Sequence, residues 1–165
     1  MCLGMEMDRV IFNKNKFLSM ISQFLNSFDN NDDFNICLLF SLLYIADFNY
    51  YEVYEKSLSG ESYIRDANGV VPLHFFKLFG EYFNENFILN RDFIDFIEKI
   101  KVDLSQNEFM IINDVINKFK NYDDEGILNY VKGDIPWRIA EDNQILNYEA
   151  VFYRESEYSV RKYDD

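Results

Sequence analysis

Leu18, Ile21, Phe24, Leu25 and Phe28 recur at intervals of three and four. That spacing places side chains on one face of a helix, so the stretch from Val10 to Phe28 is read as an amphipathic helix with one stripe against a core. The polar run Asp29-Asn30-Asn31-Asp32-Asp33 breaks the pattern, and its acids suit the N-terminal end of the next helix. Residues 34–55, FNICLLFSLLYIADFNYYEVYE, begin apolar nearly all round. A segment with no face to give to water belongs inside, so its first half is expected to be the central buried helix, with Cys37 as a small core residue. Its second half turns polar and aromatic and is expected to bring Tyr50, Tyr51 and Tyr54 near the surface.

The pattern changes at residue 57. Gly60 and Asn68-Gly69 are turn signals, and Ser62-Tyr63-Ile64-Arg65-Asp66 between them has the length of a short strand. Pro72 suits the start of a helix whose apolar side is Leu73, Phe76, Leu78 and Phe79, and Gly80 marks a break. Residues 87–105 fit two readings: Phe93, Phe96, Ile97 and Ile100 have helix spacing, while FIDFIEKIKV alternates in part like a strand. Ser105 and Glu108 match the S-x-x-E capping box, in which each side chain caps the other residue's backbone N–H. Behind them Phe109, Ile112, Val115, Ile116 and Phe119 form a long stripe. A shorter helix is expected over Asp124 to Val131, then a Gly133-Asp134-Ile135-Pro136-Trp137 loop, the polar stretch Glu141-Asp142-Asn143, and a strand over QILNYEAVFYRE. These elements predict a mainly α (α+β) fold, a compact helical domain with a small β-sheet or hairpin. No repeat or linker divides the chain, so a single domain over 1–165 is expected, with loose ends at about 1–8 and 158–165.

With 165 residues, 48% of them hydrophobic and 18% aromatic, the chain can build a real core. None of the apolar runs approaches the ~20 residues that cross a bilayer. The opening MCLGMEMDRV is short and carries acidic residues, so no signal peptide is expected, and Cys2 stands where myristoylation needs Gly. A cytoplasmic location is expected. The net charge of −13 argues against a nucleic-acid backbone as ligand, because lysines and arginines must there replace condensed counterions. Charge of this sign serves solubility, or an acidic face that docks on a basic protein.

Catalytic candidates are few. A lone histidine, His74, excludes zinc sites with two or three imidazoles, and the two cysteines form no Cys-x-x-Cys pair. Any Ser-His-Asp or Cys-His arrangement would need His74, which follows Pro72 at a helix start and is read as a partly buried, hydrogen-bonded residue. No phosphate-binding glycine loop is present. The chain is therefore expected to be no enzyme and to carry no catalytic, metal or cofactor site. The sole Trp sits beside Pro136 with two readings open: Trp137 plugs back onto the helical core, or Asp134, Trp137 and Arg138 form an exposed edge for a partner. The tyrosines Tyr50, Tyr51 and Tyr54 are the other candidates for partner contact, since Tyr and Trp dominate binding hot spots.

Three stretches in register resemble the Panacea (SocA-like) domain. Leu42, Leu43, Tyr44, Ala46, Asp47, Ser59, Gly60, Tyr63, Gly69, Val71 and Pro72 match its first block, a buried Leu-Leu-Tyr-x-Ala-Asp helix followed by Ser/Thr-Gly, a Tyr and a Pro-containing turn. Residues 104–119, LSQNEFMIINDVINKF, are similar to its Leu-Ser-x-x-Glu helix start, and residues 130–155 to its Pro-Trp loop and following strand. The resemblance runs from about residue 10 to 160. The chain departs from the pattern at Ser41 (commonly Lys), Asn68 (Tyr), Val70 (Pro) and Lys132 (His). The resemblance implies a standalone, mainly helical antitoxin-like protein, of a family common on phages and other mobile elements, that neutralises a toxin or effector by direct binding. The implied partner is a protein, a basic toxin or effector such as a nuclease, with no direct nucleic acid and no membrane. Two alternatives accompany it: an adaptor that delivers a bound toxin to a protease, and a mobile-element inhibitor of a host defence nuclease.

Overall fold

A computed structural model describes residues 9–28, 34–82 and 91–163. The element order is α1 (Lys14–Ser27), α2 (Ile36–Tyr54), β1 (Tyr63–Asp66), β2 (Gly69–Pro72), α3 (Leu73–Phe79), a 3-10 turn (Gly80–Tyr82), α4 (Arg91–Glu98), α5 (Gln106–Phe119), α6 (Asp124–Gly133), α7 (Ile135–Ile139) and a 3-10 segment (Tyr148–Tyr153). The fold is mainly helical with one two-stranded antiparallel sheet, as the pattern predicts. The expected acids at 29–33 and the loose end at 1–8 lie outside the described residues.

Everything is assembled around α2. Asn35 caps its first turn through Leu38 N–H, and Glu55 ends it in the left-handed region at φ 57°. Helices α1, α5 and α6, strand β2 and the 148–153 segment all pack on it, so most of its length is withdrawn from water. This overturns the expectation for its second half: Tyr50 is 4% and Tyr51 0% exposed, and only Tyr54 reaches the surface, at 36%. Polar residues survive there because they are paired inside the fold, as described below. By length and apolarity α2 meets the test for a membrane span, contrary to the reading of the runs, yet 89% of that window is buried inside the domain.

Cys37 is a second correction. It lies on the outward side of the first turn of α2, exposed, while Ile36, Leu38 and Leu39 face inward. The capping box at Ser105 and Glu108 forms as predicted, Ser105 N–H to Glu108 Oε1 at 2.7 Å and Glu108 N–H to Ser105 Oγ at 3.2 Å. Of the ambiguous stretch, residues 91–98 are helical, and 87–90 lie outside the described residues.

The hairpin pairs Tyr63 with Pro72 and Asp66 with Gly69. Its outer edge meets residues 143–146, with Arg65 N–H on Gln144 O (2.9 Å) and Leu146 N–H on Tyr63 O (2.8 Å). The expected C-terminal strand shrinks to one bridge, Ile64 with Ile145, before the chain coils. Asn147 is the cause: its side chain accepts from Glu149 N–H and starts the 3-10 segment. Leu146, Tyr148 and Ala150 are buried in strand-like alternation on a backbone that has already turned. The end expected to be loose from 158 is tied down as far as Tyr163, whose hydroxyl donates to Glu52 at 2.9 Å.

Gly60 fixes the crossing of the N-terminal segment. Its φ is +72°, and a Cβ there would stand 2.2 Å from Ile11 O. Replacement of Gly60 by Ala is expected to lower the unfolding free energy by at least about 2 kcal/mol, read by urea denaturation.

Candidate functional site

The Gly-Asp-Ile-Pro-Trp segment is a junction of two helices, not a loop. Gly133 closes α6, and a Cβ there would meet the Tyr158 hydroxyl, so the close approach of Tyr158 requires glycine. Asp134 follows as cap of α7, accepting from Ile135 N–H at 3.0 Å, and Pro136 occupies the first turn, where its missing N–H is harmless. Trp137 lies on α7, half-buried against the core. Its Nε1–H donates to Gly69 O at 2.6 Å. The Arg65 guanidinium lies 3.8 Å from its ring centroid, and Lys132 Nζ 5.6 Å. Arg65 Nη1 also donates to Trp137 O (3.0 Å) and Ala140 O (2.7 Å), binding α7 to the hairpin. Its Nε, 3.3 Å from Asp142, is a charge pair without hydrogen-bond alignment. The packing reading of the Trp therefore matches its place: it is an anchor, partly buried against the core.

Asp134 is withdrawn from any exposed edge. It is 0% exposed. Arg154 takes it in a fork, Nε to Oδ1 at 3.0 Å and Nη2 to Oδ2 at 2.7 Å, and the Tyr44 hydroxyl adds a bond at 2.8 Å. The other side of the same guanidinium donates to Glu52 Oε1 (3.0 Å) and Asn49 Oδ1 (2.9 Å). Burial by itself would raise the Glu52 pKa; donors from Ser159 and Val160 N–H together with the Arg154 charge outweigh it and hold it below the ordinary value. For Arg154 burial opposes the charge, but Asp134 prevails and its pKa is raised. Nothing in the local pattern around Arg154 marks it; it reads as one cation between an apolar run and the polar Glu155-Ser156-Glu157.

A second polar cluster holds the turn after α2. Asp47, fully buried, accepts from Ser59 N–H (2.8 Å), Ser59 Oγ (2.6 Å) and the Tyr63 hydroxyl (2.6 Å), with no cation. Burial dominates and pushes its pKa up to about 6, the three donors offsetting only part. Next to it the buried Glu61 accepts from His74 N–H and faces His74 Nδ1 at 2.7 Å, while His74 stacks on Phe12 at 3.8 Å. His74 is thus the hydrogen-bonded helix-start residue expected. Among the described residues no group of three or more His, Cys, Asp or Glu is placed to hold a metal ion.

The six residues expected to meet a partner are split. Tyr51 is buried and donates to Glu149 (2.9 Å), and Asp134 is a framework residue, so neither faces outward. Tyr50, also buried, meets Tyr54 ring to ring at 4.6 Å, tilted by 39°, at the far end of α2. Trp137 and the exposed Arg138 share α7 with Ile139, 61% exposed, and Ile145 beyond the next bend is 56% exposed. These two isoleucines, which sequence reasoning missed, are exposed apolar groups of one stretch, Ile139 on α7 with Trp137 and Ile145 bridged to Ile64 of β1, with the exposed Glu141 and Asp142 between them. Only an irregular stretch flanked by aliphatics signalled them. Three of the four departures from the Panacea pattern, Ser41, Asn68 and Val70, line hollows beside the hairpin turn.

A family model described as antitoxin SocA-like, Panacea domain, matches residues 39–138, more than half of the chain. The matched span holds Tyr44, Asp47, Glu52 and Asp134 but stops short of Arg154. No curated protein and no solved structure matches the chain.

Two outcomes follow from the buried charges. Arg154→Met strands two carboxylates in the core and is expected to cost about 3–5 kcal/mol in urea unfolding at neutral pH. The native state keeps the Asp47 proton to about pH 6, against 3.8 for an unperturbed group. Stability from this group is therefore full below the lower value, falls across the window and is flat above it. Relative to Asp47→Asn, the wild type should lose about 3 kcal/mol between those limits, at ~1.4 kcal/mol per pKa unit, measured by denaturation along a pH series.

Proposed function

The chain belongs to the Panacea-domain family of SocA-like antitoxins, and on that premise we propose that it is a non-catalytic protein that neutralises a toxin or effector by binding it directly. The observation that carries the reading is where the motif's polar groups go. Tyr44, Asp47, Ser59, Tyr63 and Asp134 are all buried and bonded to one another or to Arg154. A general acid or base must reach a substrate, and these groups do not reach solvent. What the chain offers to the outside is surface, and α7 is one part of it, with Trp137, Arg138 and the exposed Ile139 on one short helix. An aromatic held rigid by packing, with an aliphatic and a charge on the same helix, has the make-up of a binding hot spot.

In this reading the partner is a basic protein, and the net charge of −13 speeds its approach. Neutralisation would be occlusion of the toxin's own active surface.

Co-expression with the product of the adjacent gene, followed by affinity capture of the tagged protein, tests this. One stoichiometric protein whose toxicity is suppressed is the expected result. The double variant Arg138→Glu/Ile139→Asp changes only exposed side chains and should weaken capture by roughly tenfold or more while leaving the unfolding midpoint in place. A partner whose cellular level falls in the presence of this protein, with no stable complex, would instead favour delivery to a protease.

A further inference from the structure

Two hollows of about 310 and 350 Å³ open side by side between the first turn of α2, the tip of the hairpin and the start of α6, and Cys37 and Asn68 line both. Their walls are largely apolar, with Leu38 and Leu128 in one and Phe40 and Val70 in the other. The rim is acidic. Asp124 and Glu125 border the first hollow and Asp66 the second, and among the described residues neither hollow is lined by a lysine or arginine. The partners of these acids are neutral: Asp124 accepts from the Asn35 amide at 2.8 Å, and Asp66 from Asn68 N–H at 3.0 Å. Their field reaches the shared wall. Burial raises the Cys37 thiol pKa, and the charges of Asp66 and Asp124 raise it further.

We infer that this double groove seats an extended, basic segment of the protein partner, with apolar side chains in the two hollows and lysines or arginines against Asp66, Asp124 and Glu125. Charge complementarity selects the occupant. An acidic or neutral segment would leave three uncompensated carboxylates around an apolar floor, whereas a cation beside each hollow gains attraction as the groove loses water. Each cavity is near the low end of the ~300–1,000 Å³ range of small-ligand pockets, room for a side chain and not for a folded element. The inference rests on the reading of the chain as a protein-binding domain and is independent of the α7 edge as the contact.

Cys37 supplies the readout. In the full chain carrying Cys2→Ser it is the one thiol, and its alkylation by neutral iodoacetamide reports whether the groove is covered. The probe is a short lysine–leucine peptide, with a glutamate–leucine peptide of equal length as control. The lysine peptide is expected to slow alkylation at least about fivefold in dilute buffer, and about 1 M salt, with a Debye length near 3 Å, should restore the rate. Asp66→Asn/Asp124→Asn/Glu125→Gln keeps the hydrogen-bond acceptors and should weaken the peptide by about tenfold. An unchanged rate with the lysine peptide, or equal protection by the glutamate peptide, overturns the inference. Arg138→Glu/Ile139→Asp should leave the protection intact. A chain that captures no protein yet keeps peptide protection loses the neutralisation reading and retains the groove. One that captures its partner through the α7 edge with Cys37 unprotected does the reverse.

Discussion

The guanidinium of Arg154 is shut away from water, its side chain 1% exposed, and a charge in that position is tolerable only with every donor aimed at an acceptor. The acceptors come from separate parts of the chain: Asn49 and Glu52 from α2, Asp134 from the α6–α7 junction. One side chain thereby fixes where the C-terminal segment, the short Trp-bearing helix and the central helix stand relative to each other. A hydrophobic contact at the same place would tolerate slip, because burial has no direction, whereas the fork on Asp134 admits one geometry. Glu52 extends the constraint, taking Ser159, Val160 N–H and Tyr163 besides Arg154, so the chain's last described turn closes over α2.

That use of charge separates the acids of this protein into two populations. Asp47, Glu52, Glu61 and Asp134 are at 0% exposure and serve as acceptors that hold turns, caps and the buried Arg154 side chain. Asp66, Asp124, Glu125, Glu141 and Asp142 stand at or near the surface. The first group gives the fold its specificity, and the second sets the sign of the field that an approaching partner meets. An inventory that counts carboxylates alike sees paired acids everywhere; burial is what assigns them.

The hairpin joins the two outward-facing regions. Gly69 receives the Trp137 indole N–H on its carbonyl, and its neighbour Asn68 lines the double groove. At φ +112° Gly69 is held where other residues are strained, and a Cβ would press on Leu128 at 3.1 Å. A contact at the groove and one at the α7 edge therefore bear on the same tight turn.

Much was legible in the chain alone. The helix stripes at 18–28 and 112–119, the Ser105–Glu108 capping box, the hairpin around Asn68-Gly69 and the helix opened by Pro72 are local devices, and local sequence carries them; Phe109, read as part of the second stripe, is 40% exposed. The buried first half of α2 and the family resemblance followed from the same stretch. What the sequence could not decide was orientation among distant parts. The tyrosines at 50 and 51 look amphipathic in isolation and are buried because five elements surround α2. Cys37, in an apolar run, faces out because the helix begins there at the rim. The alternation at 146–150 resembles a strand, but the Asn147 turn takes effect first. Arg154 finds Asp134 and Glu52 across separations of 20 and 102 residues, which no periodicity encodes. Propensity and spacing act over a few residues. The partners of a buried charge are set by which elements meet, and that is settled only when the whole chain has packed.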